Sequence, residues 1–439
     1  MSKILRRQLI QSGLLSIGLV TLAPGLSTAA PTRKKKKKKK SDRKPGKSAT
    51  AILGATLWRG DAPPLNRSVV VFEDGEIVYV GTDRSMAGEA RVIRAEGKVL
   101  TAGFVDPLTQ IGLTEVSLEA STRDDEHAIA DPIRAAFRAA DSYNPASSLV
   151  RIARREGLTS VGVVPTGGLV AGQSAWADLA GRTPTQAISR RSTAIHVRLH
   201  DGSAAPFGGS RGSAWLALRQ LLDDTLSFRA NRRAFRRRDL RELHASRLDH
   251  VAMLPVLDGE LPLVIHVDRA SDIMNALELA KQYKLRIALA SAAEAWKVRR
   301  AISKAKVPVI VYPFDEGPRS FAALGAREEN AAMLHRAGVK VALSTGDSHD
   351  VRKLRQGAGN AIRAGLPRRA ALAAVTDIPA QIFGVDSLYG TPKVGRRANL
   401  CLWTADPFEL GSHAESIFIR GRKRSLKSRQ TALYERYAK

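Results

Sequence analysis

The sequence predicts an α/β fold: a (β/α)8 barrel of the TIM type with a small β-sandwich domain built from N- and C-terminal segments. Over residues 102–390, short apolar strands alternate with amphipathic helices, which is typical of a parallel sheet covered by helices. Short strand patterns separated by turn residues lie on both sides of this stretch. Its length suits eight strand and helix units, and a doubly wound open sheet is the alternative.

The barrel prediction depends on apolar strand patterns that neighbour helical ones. A helical pattern at 148–156 leads into a strand at 158–164, and a strand at 261–267 leads into a helix at 270–283. Further strand patterns lie at 286–290, 307–312 and 339–344. Between the first strands and the helix at 148–156 the chain has no G-x-G-x-x-G turn, so a dinucleotide-binding open sheet has no support.

Both ends of the chain predict strands of one small β domain. In residues 49–101, the turn Glu73-Asp74-Gly75 separates two strand patterns and predicts a β-hairpin. In residues 391–439, an alternating apolar run around Cys401 predicts another strand. Because this cysteine is the chain's only one, no internal disulfide can form, and we expect the thiol in the core.

The first 30 residues predict export. Lys3 and the pair Arg6-Arg7 form a basic start, residues 9–20 are apolar, and small residues at 28–30 suit cleavage, so we read 1–30 as a signal peptide. The protein is then periplasmic or extracellular. The arginine pair fits the twin-arginine route, and the general secretory route also accepts such a start.

Residues 31–48 predict a disordered polybasic arm. Lys34 to Lys40 are seven consecutive lysines, and such a run repels itself and has no apolar surface to bury. The segment from Arg33 to Lys47 suits an anionic membrane surface or an acidic envelope polymer, and a solvated spacer is the alternative. Nucleic acid is a weaker partner, because aromatic residues make up only 5% of the chain.

Three segments resemble one known family. They are VVVFEDGEIVYVG at 69–81, TAGFVDPLTQIGL at 101–113 and YGTPKVGRRANLCLWTADP at 389–407. Over residues 49–425 the chain resembles the amidohydrolase superfamily, in particular its imidazolonepropionase-like branch. The resemblance implies hydrolysis of a non-peptide C–N bond, as in a cyclic amide, by a water molecule bound to zinc or another divalent metal.

The resemblance also implies a metal site at the ends of the barrel strands, and most of its ligands are substituted here. The family has H-x-H after the first strand, histidines after the fifth and sixth, and an aspartate after the eighth. A lysine or glutamate often follows the fourth strand, where this chain has His196 and His200 nearby. Carried over by position, the other sites hold Leu108, Gln110, His266, Ser291 and Asp347, with Gly346 as the competing match for the last.

Several functions stay open at this stage. Two surviving ligands, His266 and Asp347, are too few for a catalytic zinc site, which needs three; His349 or His200 would complete it. Without a metal, Asp347 as general base and His266 or His349 as general acid give a metal-free hydrolase. Alternatively, His266 and Asp347 order the barrel mouth by hydrogen bonds, and the protein is an inactive pseudoenzyme that binds a small polar ligand or an envelope partner.

Glycine-rich loops suggest where a ligand would bind. Residues 165–168 and 171–174 follow one predicted strand, and 206–212 form a second glycine-rich loop. Glycines let backbone N–H groups approach an anionic or polar ligand, although they also permit tight turns. We expect Gln173, Arg211 and His349 to contact a small polar substrate or ligand.

Overall fold

The computed structural model describes residues 45–126, 131–199, 205–237, 239, 242–314 and 317–438. The predicted signal peptide and nearly all of the polybasic arm lie outside these ranges. The described chain begins with six strands: β1 Thr50–Leu53, β2 Thr56–Leu57, β3 Val69–Glu73, β4 Glu76–Gly81, β5 Arg91–Arg94 and β6 Val99–Ala102. Strands β3 and β4 form the predicted hairpin, and Asp74 and Gly75 both have positive φ, as the tightest hairpin turn requires.

Eight strands then form one sheet. They are β7 Phe104–Thr109, β8 Leu158–Val163, β9 Val170–Asp178, β10 Ile188–Arg198, β11 Leu263–Val267, β12 Ile287–Ser291, β13 Val309–Val311 and β14 Val341–Leu343. They lie in chain order across the sheet, and β7 also contacts β14, so the sheet curls into a nearly closed barrel. The predicted barrel fold is confirmed.

One strand departs from the parallel pattern. Strand β9 runs antiparallel to both β8 and β10, whereas the other neighbours pair in parallel. Only residues 164–169 connect β8 to β9, and a parallel crossover needs a dozen or more residues. The short connection therefore makes the second and third barrel strands a hairpin.

The inside of the barrel is filled by side chains. Val105, Val264, Ala288 and Ile310 point inward and form one buried apolar cluster with Trp176. This filling is typical of eight-stranded barrels, whose interior is a packed core. Only the ends of the strands are left for polar groups.

Both ends of the chain build the small β domain. It includes β15 Leu400–Trp403, β16 Ala414–Ile419 and β17 Arg422–Arg424. Strand β15 pairs with β6, which places Cys401 opposite Thr101 and buries the thiol. The two sheets have the orders β4-β3-β1-β5 and β17-β16-β15-β6-β2, and Phe72 and Phe418 pack between them with ring centroids 5.2 Å apart. The domain boundaries at residues 101 and 390 stay predictions.

Helices surround the barrel. They are α1 Ala139–Ser142, α2 Ser148–Arg155, α3 Pro184–Ala187, α4 Arg211–Ala230, α5 Arg232–Arg237, α6 Arg247–Leu257, α7 Ala270–Tyr283, α8 Arg299–Ala305, α9 Asn330–Arg336, α10 Leu354–Arg363, α11 Arg368–Ala374, α12 Asp377–Ile382 and α13 Arg429–Tyr437. Within the described ranges, no helix combines the length and the apolar character that crossing a membrane requires.

Candidate functional site

Within β7, one buried carboxylate connects the first barrel strand to the residues that follow the last. Asp106 is fully buried and accepts hydrogen bonds from the Thr345 hydroxyl at 2.6 Å, from the Thr345 amide at 3.0 Å and from the Ser344 hydroxyl. Burial raises the pKa of Asp106 to about 6, although these hydrogen bonds oppose the shift. Asp106 therefore bridges β7 and the residues after β14, where the sheet has no strand ladder.

The two positions after Asp106 where the family has histidines are structural here. Leu108 is 1% exposed and belongs to the apolar cluster inside the barrel. Gln110 is half-buried, and its carbonyl oxygen accepts the amides of Leu113 at 2.9 Å and Thr114 at 3.0 Å, which forms a turn. The first of these side chains packs as core, and the backbone of the second begins a loop.

Strands β10 and β11 bring two histidines together. Nδ1 of His196 lies 3.1 Å from Nε2 of His266, and both side chains are buried. Burial, and then the nearby charge of Arg198, lower the pKa of His196 to about 3, so this ring is neutral at physiological pH. Its Nε2 is buried without a hydrogen-bond partner among the described residues.

Ser291, at the sixth-strand position, is held by a neighbouring loop. Its hydroxyl donates to Oδ1 of Asp268 at 2.5 Å, and the same oxygen accepts the amide of Ala293 at 3.3 Å. Ser291 and Ala292 both have positive φ, so the chain turns sharply as β12 ends. The bond to Asp268 orders this turn.

Asp347 caps the turn that follows β14. One oxygen of its carboxylate accepts the amides of His349 at 2.6 Å and Asp350 at 2.7 Å, as a helix-capping aspartate does. Its carbonyl oxygen accepts the hydroxyl of Thr109, at 2.7 Å, from the end of β7. Asp347 and His266 therefore bond to different partners and do not form the hydrogen-bonded pair considered from the sequence.

Solved structures show what this fold resembles. An amidohydrolase from Thermotoga maritima MSB8 matches with a TM-score of 0.78 and 23% identity, over 86% of this chain and 99% of that one. A β-aspartyl dipeptidase from Fervidobacterium islandicum AW-1 matches with a TM-score of 0.53 and 13% identity, over 86% of this chain and 96% of that one. No family model and no curated protein matches the sequence.

This chain has the amidohydrolase fold. A dihydropyrimidinase from Brevibacillus agri NCHU1002 also matches, at 13% identity and a TM-score of 0.50, over 87% of this chain and 96% of that one. At these identities the likeness establishes the architecture, and the resemblance stated from sequence motifs is confirmed at that level.

The strand ends of this amidohydrolase fold do not fit a divalent metal. Leu108 offers no donor atom, Ser291 is bonded to Asp268, and Asp347 holds two backbone amides. In the part of the chain that the structure describes, no three His, Cys, Asp or Glu side chains are grouped to hold a metal ion. His200, considered as a third ligand, lies outside the described residues. A catalytic zinc ion needs three protein ligands.

The three predicted ligand contacts lie beside different neighbours. Gln173 donates from Nε2 to the carbonyl of Ala135 at 3.1 Å and so holds the segment before α1. Arg211, at the start of α4, pairs with Asp272 of α7 at 3.2 Å. His349 is half-buried in the turn capped by Asp347. Their roles as ligand contacts stay predictions.

Two structural roles were not predicted from the sequence. Asp106 is part of the segment TAGFVDPLTQIGL, but the partners of its carboxylate lie 238 and 239 residues away along the chain. His196 and His266 are 70 residues apart, and only the register of β10 with β11 brings them together. The one signal of this histidine pair in the sequence is an apolar strand that carries a histidine near its carboxyl end.

Proposed function

We propose that this protein is an amidohydrolase-fold binding protein whose barrel does not hydrolyse its ligand. The observation that carries the proposal is the use of the strand-end side chains. Leu108 packs in the core, Ser291 is bonded to Asp268, and Asp347 caps a turn. These contacts stabilise the barrel and leave too few donors for a metal centre.

The proposal follows from what amide hydrolysis demands. A metal bound at three side chains lowers the pKa of a water molecule and polarises the carbonyl, which together make attack possible at neutral pH. Acid–base catalysis without a metal would need Asp347 to accept a proton. Two amides already donate to one oxygen of that carboxylate and hold it in the turn after β14.

Hydrolysis of a non-peptide C–N bond is the second candidate function. What supports it is the set of structural relatives, whose names are amidohydrolase, β-aspartyl dipeptidase and dihydropyrimidinase. The buried imidazoles of His196 and His266 are the residues that would serve it, as metal ligands or in proton transfer. The ligand class is the same in both proposals: a small polar amide or cyclic amide.

One assay separates the two functions. Purified protein is incubated with simple amides, lactams, dihydropyrimidines and β-aspartyl dipeptides, with and without added Zn²⁺ or Mn²⁺. We expect no turnover above that of the His266→Asn and Asp347→Asn variants, while a bound compound raises the melting temperature and is recovered intact. Metal-dependent turnover by the wild type that both variants lose would contradict the binding proposal.

We also propose that the protein is exported and that the arm from Arg33 to Lys47 meets an anionic surface. The support is sequence alone: a basic, apolar and small-residue leader, and seven consecutive lysines. Co-sedimentation with vesicles of anionic lipid tests the arm. We expect deletion of residues 33–44 to abolish binding, and binding that survives the deletion would dispose of the proposal.

A further inference from the structure

A large basic groove lies away from the barrel mouth. It has a volume of about 1250 Å³ and is bordered by α2, by the β3–β4 turn, by the loop after β9 and by β17. Helix α2 ends just before β8 begins, and β9 runs opposite to the other strands, so these segments lie at the amino ends of the parallel barrel strands. The barrel mouth, with Ser291 and Asp347, lies at the carboxyl ends of these strands.

Six arginines line this basic groove; besides Arg420, which is paired with Asp178, five remain, and four of these come in pairs. Arg151 and Arg154 are three residues apart on α2 and so share one face of the helix. Arg422 and Arg424 are two residues apart on β17 and share one face of the strand. With the exposed loop residue Arg182, these side chains line the groove from three separate segments.

The groove has little negative charge to balance them. Asp178 is already paired with Arg397 at 2.9 Å and with Arg420 at 2.6 Å. Glu73 and Asp74 also line the groove, so its described lining has two carboxylates against six arginines. Among the described residues, no carboxylate forms an ion pair with any of the five groove arginines.

Two of the guanidinium groups have unused donors. Nε of Arg154 and Nε of Arg424 are buried and have no acceptor in the described part of the chain. Nη1 of Arg154 donates to the carbonyl of Leu179 at 3.2 Å. Burial, and then neighbouring arginines, lower the pKa of both groups, which shows that their positive charges lie close together. A buried donor without an acceptor destabilises the folded state, so a site that keeps two of them suits an anionic acceptor.

We propose that the basic groove binds a flexible, non-aromatic polyanion that carries successive phosphate groups. Each phosphate inside such a chain carries about one negative charge and two terminal acceptor oxygens that suit the guanidinium fork, so successive groups along one chain can satisfy neighbouring arginines. The separation of the arginines over three segments favours an extended chain of such groups over a single ion.

The lining of the groove disfavours other anionic partners. Phe72 is the one aromatic residue among its described lining residues and is 2% exposed, so single-stranded nucleic acid finds no surface for base stacking. The groove is concave, whereas a lipid bilayer presents a broad surface, so a membrane would reach its rim rather than its buried donors.

Binding of short-chain inorganic polyphosphate tests the proposal. Calorimetry or competition at physiological salt compares wild type with Arg154→Gln/Arg424→Gln, both without the arm residues 33–44, so that the lysine run does not contribute. The control is Arg300→Gln/Lys304→Gln, which removes two charges from a separate shallow basic cleft beside α8. We expect the groove variant to bind at least about tenfold more weakly and the control less than about threefold.

A further double variant tests whether the glutamine substitutions weaken binding only because the protein fails to fold. Arg154→Lys/Arg424→Lys keeps both charges but removes the planar donor fork, and we expect binding between wild type and the glutamine variant. Equal losses in the groove and control variants would overturn the proposal, because they would show general charge attraction. Equal affinity for polyglutamate would overturn the assignment to phosphate groups, and equal affinity for single-stranded DNA would overturn the assignment to a non-aromatic chain.

Discussion

The barrel mouth and the basic groove treat their polar side chains in opposite ways. At the mouth, the Asp106 and Asp347 carboxylates each accept hydrogen bonds from the chain itself, and Leu108 packs in the apolar cluster inside the barrel. In the groove, Arg154 and Arg424 keep buried donors without acceptors. Nε2 of His196 is the exception at the mouth, because it is buried without a partner among the described residues. The other mouth side chains named here contribute to stability, although the fold usually has its chemistry there, whereas the groove keeps donors that an added acceptor could satisfy.

The difference teaches where to look for function when the strand ends of such a barrel hold mainly structural side chains. Side chains that satisfy one another contribute to folding and are costly to remove. Side chains that repel one another and lack partners are costly to keep, and natural proteins retain such costs mainly at functional sites. The two regions should therefore respond to substitution with opposite signs.

The largest expected effect is at Asp106. Replacing it by alanine removes the acceptor of the Thr345 hydroxyl and amide, leaves the Ser344 hydroxyl only the carbonyl of Leu108 at 3.0 Å, and weakens the junction of β7 and β14. We expect Asp106→Ala to lower the free energy of unfolding by about 3–5 kcal/mol, measured by urea denaturation. Asp106→Asn is the matched control and should lose less, because an amide oxygen still accepts. A loss below about 1 kcal/mol for alanine would break the comparison.

The next effect is a pH dependence caused by His196. The folded pKa, about 3, lies below the ordinary value of 6.5, so the folded state binds fewer protons between these values and loses stability as pH falls. From pH 6.5 to pH 4 we expect the wild type to lose about 3 kcal/mol more than His196→Gln. Asp106 changes stability with pH in the opposite direction. Its raised pKa stabilises the folded state below pH 3.8, and that stabilisation is lost as pH rises through about 6. Parallel stability curves for wild type and His196→Gln would contradict the burial of a neutral ring.

A smaller effect is expected at Asp347. If its carboxylate caps a turn, Asp347→Ala should cost about 1 kcal/mol of unfolding free energy, and Asp347→Asn almost nothing, because asparagine caps equally well. Thermal unfolding of both variants measures this. A cost for asparagine equal to that for alanine would show that the negative charge matters, as it would in a metal site.

The smallest effect is expected at Arg424, where substitution should stabilise the protein slightly rather than destabilise it. Arg424 has neighbouring arginines and a buried Nε without an acceptor, so Arg424→Gln removes repulsion along with one charge. We expect the melting temperature to stay unchanged or to rise. Any gain in unfolding free energy should be at most about 1 kcal/mol. A loss of more than about 1 kcal/mol would show that the groove is structural, like the mouth.

The sequence predicts the barrel and the β domain because both depend on local patterns. Strand and helix periodicity mark the elements, and the hairpin at Asp74-Gly75 is visible in its turn residues. The six residues of 164–169 also carry a signal for the antiparallel β9, since they are too few for a crossover, but the apolar pattern alone does not show direction.

The sites were harder to predict because they depend on distant contacts. Asp347 matches the aspartate position of the family, yet the amides of the two following loop residues decide that it caps a turn. The groove combines residues near 151–154, 182 and 422–424, which no spacing in the sequence links. Sequence shows which ligands are substituted, and only three-dimensional contacts show what the remaining polar groups do instead.

Metal content tests the central claim most directly. Protein purified without chelators, and without a metal-affinity tag, is analysed by inductively coupled plasma mass spectrometry beside the His266→Ala variant. We expect zinc, manganese and iron well below one ion per chain, with no difference between the two proteins, because the strand ends supply too few free donors. About one zinc ion per wild-type chain, lost in His266→Ala, would contradict the account and restore the metallohydrolase.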